Sequence, residues 1–338
     1  MAAVPAESSL VVIGASAGGV PTLLELAEGL PAGFPAPICL VQHVGTNASL
    51  LPELLSARGR HPAVHAHDRQ LLTAGVIHVA PPDHHLLVEG NSLRLLRGPR
   101  ENHCRPAIDP LFRSAALEWG ARTIGVVLTG MLDDGTAGLK AIKERGGIAV
   151  VEDPRTAYEP SMPRSALENV QVDHCVPIGE MGRLLGQLVG LPPQAGQPNP
   201  GETLVREVAI NRGAATMENL QAIGSTSSLT CPDCGGTLWE INDPQPLRYR
   251  CHTGHAYTAR ALARSQDEVV EDALRASVRA LAEREMLLRR TAAIAAATGD
   301  AQQAEAGLRE AERLRSQVEA LRTLTEAERS RLGGGMPA

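Results

Sequence analysis

The chain begins with short apolar runs separated by stretches in which apolar residues recur every three to four positions. LVVIGA (10–15), PICLVQH (37–43), VIHVA (76–80), HLLVE (85–89), TIGVVLTG (123–130) and IAVVE (148–152) read as strands. The segments 19–30, 49–58, 109–120 and 135–145 read as amphipathic helices. Continuous apolar strands alternating with such helices predict a doubly wound α/β domain with a mainly parallel sheet. Between 76 and 96 the strands crowd together around the turn signals PPD (81–83) and EGN (89–91), which predicts a local antiparallel hairpin.

The pattern changes near residue 191. PPQAGQPNPGE (192–202) is dense in Pro, Gly and polar residues and reads as a linker. A helix over about 203–223 is expected next, then a compact Cys/His segment to about 258. From 259 to 332 apolar residues take helical spacing: Val270, Leu274, Val278, Leu281 and Leu288, then Leu308, Ala311, Leu314, Val318 and Leu321. The break at ATGD (297–300) predicts two antiparallel helices, a hairpin or coiled coil that offers a surface for homodimerisation. The expected organisation is therefore an α/β domain over 8–191, a linker over 192–202, a helix plus Cys/His module over 203–258 and a helical hairpin over 259–332.

Composition narrows the function classes. At 338 residues the chain is too long for one ordinary core, and with 2% aromatics that core is built of Val, Leu, Ile and Ala. The formal net charge of −6 argues against a nucleic-acid partner held by a basic surface. No apolar window approaches the ~20 residues of a membrane span, and the N-terminus lacks the marks of a signal peptide. A soluble, cytoplasmic protein without membrane insertion is expected.

Candidate chemistry starts at Gly14-Ala15-Ser16-Ala17-Gly18-Gly19, which follows a buried strand and precedes a helix. A Gly-x-Ser-x-Gly turn lifts the hydroxyl clear of the backbone and aims the next N–H at a developing oxyanion. A phosphate-binding loop is the rival reading, but the glycines are not spaced Gly-x-Gly-x-x-Gly and the second strand ends in Gln42-His43 rather than an acid. His43 should share the C-terminal rim of the sheet with Ser16 and serve as its base. A carboxylate should orient the histidine, and Asp133 and Asp134 both stand at a third strand end, where either could instead cap the following helix.

GASAGG, VQHV, RPAIDPLF and LTGMLDDGTAG together resemble the signature segments of CheB, the chemotaxis receptor glutamate methylesterase family, in family order over roughly residues 8–190. The resemblance implies a doubly wound α/β fold with Ser16 as nucleophile, His43 as general base and Asp134, the aspartate before glycine, as orienting acid. It also implies an oxyanion hole from the Ala17 and Met131 N–H groups, and places Arg105 in the substrate cleft. The implied substrate is a methylated glutamate side chain on a chemoreceptor-like protein, with glutamine deamidation as a second reaction and no cofactor for catalysis. Family members that respond to phosphorylation carry a receiver domain ahead of the catalytic one. Here the motif starts near residue 10, so such control in cis is not expected.

Cys231 and Cys234 form a C-x₂-C knuckle, and Cys251 with His255 supplies a second pair. Four such donors suit a closed tetrahedral structural zinc site. His252 is too close to Cys251 to share the ion comfortably, and a redox pair at Cys231 and Cys234 is the alternative. Among the other histidines, His61, His65 and His67 read as an exposed strand face, and Asp83, His84 and His85 as surface residues. Two rivals to the esterase are a non-catalytic scaffold acting through its C-terminal helices and a nucleotide-binding regulator.

Overall fold

The structure is a computed structural model and describes residues 8–192, 199–243 and 245–333; residues 193–198 of the expected linker lie outside the described residues. The first region alternates β1 (Leu10–Ala15), α1 (Gly19–Gly29), β2 (Ile38–Gln42), α2 (Leu51–Arg58), β3 (Ala63–His65), β4 (Ile77–Val79), the hairpin β5 (His85–Glu89) and β6 (Ser92–Leu96), and α3 (Ile108–Trp119). It continues through β7 (Thr123–Val127), α4 (Thr136–Glu144), β8 (Ile148–Glu152), α5 (Ser161–Asn169), β9 (His174–Val176) and α6 (Ile178–Leu188). One seven-stranded sheet takes the order β3-β4-β2-β1-β7-β8-β9. Every pairing in it is parallel.

Burial explains the composition of the strands. All of β1 and β2 is buried, because helices cover both sides of the sheet. One core layer packs Leu23, Leu26, Leu55, Met181 and Leu185 of α1, α2 and α6 on one face. Ile108, Leu111, Phe112, Leu139 and Met162 of α3, α4 and α5 form the layer on the other. The apolar VIHVA run joins the parallel sheet as β4, so the hairpin is confined to β5 and β6. Two short strands, β3 and β9, extend the sheet at its edges.

The expected helix over 203–223 is two helices, α7 (Glu202–Asn211) and α8 (Met217–Ile223). Gly213 takes φ +103°, which a right-handed helix does not allow, and the Thr216 side chain caps the second helix at Asn219 N–H. A four-stranded antiparallel sheet follows: β10 (Gly224–Thr230), β11 (Thr237–Ile241), β12 (Arg248–Cys251) and β13 (Ala256–Thr258). Residues up to Leu262 belong to one compact unit with the α/β region, and Ala263 onward forms a second.

The second unit holds most of α9 (Ala259–Ala297) and all of α10 (Ala301–Gly333), which turn at the expected break. Their buried seam is made by Ala292, Ala295, Ala304, Ala311, Leu314 and Val318. Ala311, Leu314 and Val318 lie on that seam as expected, whereas Val270 and Leu308 are about half exposed.

Two histidine expectations are corrected. His61 is buried, its ring edge-on to Phe34 and bonded to the Pro31 carbonyl. His85 is buried between the Pro99 carbonyl and the Ala107 N–H. Both rings satisfy backbone groups that would otherwise be buried unpaired.

Candidate active site

The strand order reverses around β1: the chain moves from β1 to β2 on one side and returns to β7 on the other, which leaves a crevice at the carboxyl ends of these strands. Register then decides which residues meet. Ala15 pairs with Gln42, so the next residues, Ser16 and His43, leave the sheet side by side. The His43 N–H donates to the Ala15 carbonyl at 3.0 Å and the Ser16 N–H to the Thr129 carbonyl at 2.9 Å. Backbone bonds on both flanks thus fix the serine.

The turn after Ser16 is tight. Gly18 lies at φ +74°, in the left-handed region, and the Gly19 N–H closes on the Ser16 carbonyl at 2.8 Å. Gln42 donates to the carbonyls of Ser16 and His43 at 2.8 and 3.0 Å, clamping the two loops together. Gly130 meets the serine from the loop after β7: a Cβ there would stand 2.7 Å from Ser16 Cβ and 2.1 Å from Met162 Sδ.

His43 Nδ1 lies 3.0 Å from Ser16 Oγ, and Nε2 lies 2.7 Å from Asp134 Oδ2. With Asp134 ionised, Nε2 carries the proton it donates to that carboxylate, and Nδ1 presents a lone pair to the serine hydroxyl. Asp134 accepts five hydrogen bonds in all. Oδ2 takes His43 Nε2 and the Ile108 N–H, and Oδ1 takes Asn102 Nδ2, the Asp109 N–H and the Gly135 N–H. Burial alone would raise its pKa, but these donors and the His43 charge hold it below the ordinary carboxylate value.

Burial disfavours the His43 imidazolium, yet Cys104 and Asp134 more than offset it, so its pKa stands above the ordinary imidazole value. The remaining acids around the site differ. Burial, with the Asp134 charge beside it, pushes Asp109 up to about 7, and burial pushes Asp133 up to about 6. Asp133 points to Thr258 Oγ1 at 2.6 Å, so of the two adjacent aspartates only Asp134 reaches the histidine. Glu152, at the end of β8, accepts the Thr129 N–H and so braces the strand end beside Ser16.

Among the described residues nothing accepts a hydrogen bond from the Ala17 or Met131 N–H. Met131 and Tyr158 are exposed on the rim, and Tyr158 packs on Gly18. Arg105 bonds Asp83 and the Gly98 carbonyl; among the described residues no contact joins it to Ser16 or His43. Gln42, Asn102, Cys104, Gly130 and Glu152 were not singled out by sequence reasoning. Their signal was position only: each ends a strand or lies within two to three residues of a motif.

At the second cluster, the donor atoms of Cys231, Cys234, Cys251 and His255 all lie within 4.8 Å of one another. Cys234 and Cys251 Sγ are 3.7 Å apart, and His255 Nδ1 is 3.5 Å from Cys251 Sγ. Thiolates bound at ~2.3 Å to one tetrahedral ion would be roughly 3.8 Å apart, close to the 3.7 Å between Cys234 and Cys251 Sγ, and three thiols with one imidazole form a donor set that could hold a metal ion. His252 is not among the four; its ring lies against Gly236.

Comparison with known proteins places these motifs. The CheB methylesterase family model matches residues 11–185. A putative protein-glutamate methylesterase/protein-glutamine glutaminase of Leptospira interrogans is 39% identical over 184 residues, 53% of this chain and 93% of that one. The protein-glutamate methylesterase/protein-glutamine glutaminase 2 of Anaeromyxobacter dehalogenans is 39% identical over 184 residues, 54% of each chain. The crystal structure of the Thermotoga maritima CheB methylesterase catalytic domain matches with a TM-score of 0.52 at 33% identity, covering 54% of this chain and 99% of that one. With the family model spanning more than half its length and the serine–histidine–aspartate array standing where the shared segments meet, the chain belongs to the CheB methylesterase family.

Proposed function

We propose that the protein is a serine hydrolase that removes methyl esters from glutamate side chains of chemoreceptor-like proteins. The observation that carries this reading is the unbroken chain Ser16 Oγ–His43–Asp134, with contacts of 3.0 and 2.7 Å. Ser16 is the nucleophile. His43 Nδ1 takes its proton as Oγ attacks the ester carbonyl, and the N–H groups of Ala17 and Met131 receive the oxyanion. Collapse expels methanol, which takes the proton from His43 and leaves an acyl-enzyme. Water then attacks with His43 again as base, freeing the glutamate and restoring the serine. Asp134 stays ionised throughout and keeps the Nε2–H tautomer.

The same steps deamidate glutamine with ammonia as the leaving group. Amides need more complete protonation of that group, so the ester reaction is the faster. Arg105, held by Asp83 and Gly98, lines the cleft that admits a side chain carried on a receptor helix. The second cluster is a structural zinc site held by Cys231, Cys234, Cys251 and His255. Its four-donor closed set leaves no open position for catalysis. Among the described residues no helix is long and apolar enough to cross a membrane, in keeping with a cytoplasmic enzyme acting on receptor cytoplasmic regions. The helical hairpin is the candidate surface for a homodimer.

A serine-directed phosphonate tests the reading against a scaffold role. Wild-type protein should be labelled at Ser16 and Ser16→Ala should not. Folded wild-type protein that resists labelling would favour the scaffold.

A further inference from the structure

The part of the chain beyond the family match is not merely attached to the catalytic region; it touches the residues that hold Asp134. Asn102 is buried and takes a left-handed φ of +49°. Its N–H donates to the Ala256 carbonyl in β13 at 2.8 Å, and its Oδ1 accepts the Thr258 N–H at 2.9 Å. An amide whose oxygen is engaged by an N–H must turn its NH₂ the other way, and Asn102 Nδ2 points at Asp134 Oδ1, 3.0 Å away. The Thr258 hydroxyl donates to Asp133 Oδ1 at 2.6 Å, fixing the residue directly before Asp134. One residue of β13 therefore sets two of the contacts around the acid.

The joint behind β13 is rigid and charged. Glu101, next to Asn102, binds Arg113 from α3 and Arg250 from β12. Glu207 of α7 binds Arg248 at 2.7 Å and Arg250 at 3.2 Å. All five side chains are at most 8% exposed. Such a network holds one geometry, because any slip leaves a buried charge unpaired. β13 begins one residue after His255, a member of the proposed zinc set, whose carbonyl also accepts the Cys251 N–H at 3.0 Å.

We propose that the extension is a positioning element of the active site, in which zinc captured by Cys231, Cys234, Cys251 and His255 fixes β13, and Thr258 passes that order through Asn102 and Asp133 to Asp134. The inference rests on the esterase reading for its kinetic consequence, but its structural content does not. Thr258 is a positioning residue, not a catalytic one. The metal supplies no chemistry to the ester; its role is to decide whether Asp134 is held where His43 needs it.

The test uses the full-length protein loaded with zinc. Thr258→Val keeps the shape and the backbone N–H but loses the hydroxyl. It should lower kcat for methanol release about ten-fold with KM within about two-fold, and Thr258→Ser should restore it. The downfield proton resonance of His43 Nε2–H reports the Asp134 contact whether or not the ester is turned over. It should broaden or move in Thr258→Val, and again when zinc is stripped from the wild type by a chelator. Cobalt(II) substitution, read by thiolate charge-transfer absorption, follows the loading independently. If wild type releases no methanol while the resonance still responds, the esterase reading fails and the positioning role stands. If wild type is active and both kcat and the resonance ignore Thr258→Val and zinc removal, the positioning role is wrong. Should Thr258→Val not fold, the resonance in chelated wild type decides alone.

Discussion

Replacing Asp134 by Asn changes one oxygen for an NH₂ and separates orientation from charge. Oδ2 faces two donors, His43 Nε2 and the Ile108 N–H, and Oδ1 faces three, from Asn102, Asp109 and Gly135. The amide should place its NH₂ where it meets fewer donors, against His43 and Ile108. The imidazole can then escape the clash only by moving its proton from Nε2 to Nδ1. In that tautomer Nδ1–H points at Ser16 Oγ and can no longer accept its proton. The Ile108 N–H, 2.7 Å from the replaced oxygen, stays unpaired and buried, which costs about 1–3 kcal/mol of stability. The lost tautomer should lower kcat by roughly 10⁴-fold, as in related triads. Methanol release measures the rate and a denaturant titration the stability. A folded Asp134→Asn protein that keeps more than about a tenth of wild-type kcat would refute the claim that Asp134 sets the histidine tautomer.

Gly130→Ala should displace Ser16, since the new Cβ would fall 2.7 Å from Ser16 Cβ; a loss of about 10²-fold in kcat is expected, and retention of wild-type rate would show that the loop yields freely. The base form of His43 exists above its raised pKa, so kcat/KM should climb with pH through a value above the ordinary 6.5, and Cys104→Ala should move that limb to lower pH; a wild-type limb at or below 6.5 would contradict this. Glu207→Ala leaves buried Arg248 with Asp243 and buried Arg250 with Glu101 as their remaining carboxylates and should destabilise the fold by about 3 kcal/mol in a urea titration, where a change under about 1 would mean that the network relaxes. Paired arginines hold the Glu207 carboxyl down at about 2, so its stabilising contribution is present above 4.5 and lost as pH falls toward 2; Glu207→Ala should therefore flatten the acid limb of the stability curve.

Much of the first region was legible because its cause is local. Strands buried on both sides must be apolar throughout, so β1, β2, β7 and β8 stand out along the chain. The placement of Ser16 and His43 followed from the strand ends, since a parallel register carries adjacent strand ends to one rim. The edge strand β9, of three residues, is too short to show a period, and the alternation that marks β3 spans residues on both sides of its three. His61 and His85 misled because a histidine satisfied by a backbone carbonyl looks in sequence like any polar residue. Strand ends and composition left Asp133 and Asp134 open, and only the family resemblance chose Asp134; the structure brings Asp134 Oδ2 within 2.7 Å of His43 Nε2 and turns Asp133 to Thr258.

The larger omission was the joint between the catalytic region and the extension. Glu101 and Arg250 are 149 positions apart, and nothing in the sequence marks Arg113, Arg248 and Arg250 as the arginines buried against Glu101 and Glu207. Hydrophobic periodicity tells which apolar faces need cover. It carries no information on which distant charges will meet beneath it. Asn102 belongs to the same class: its importance lies in Thr258, 156 positions away.

Ester hydrolysis on methylated receptor segments is the activity proposed for Ser16, His43 and Asp134. It is tested most directly by methanol release from methylated receptor cytoplasmic fragments, with wild type beside Ser16→Ala and His43→Ala. Wild type should release methanol, and the rate should fall by about 10⁴-fold or more in each variant. Release that persists in Ser16→Ala, or none from folded, zinc-loaded wild type, would contradict it.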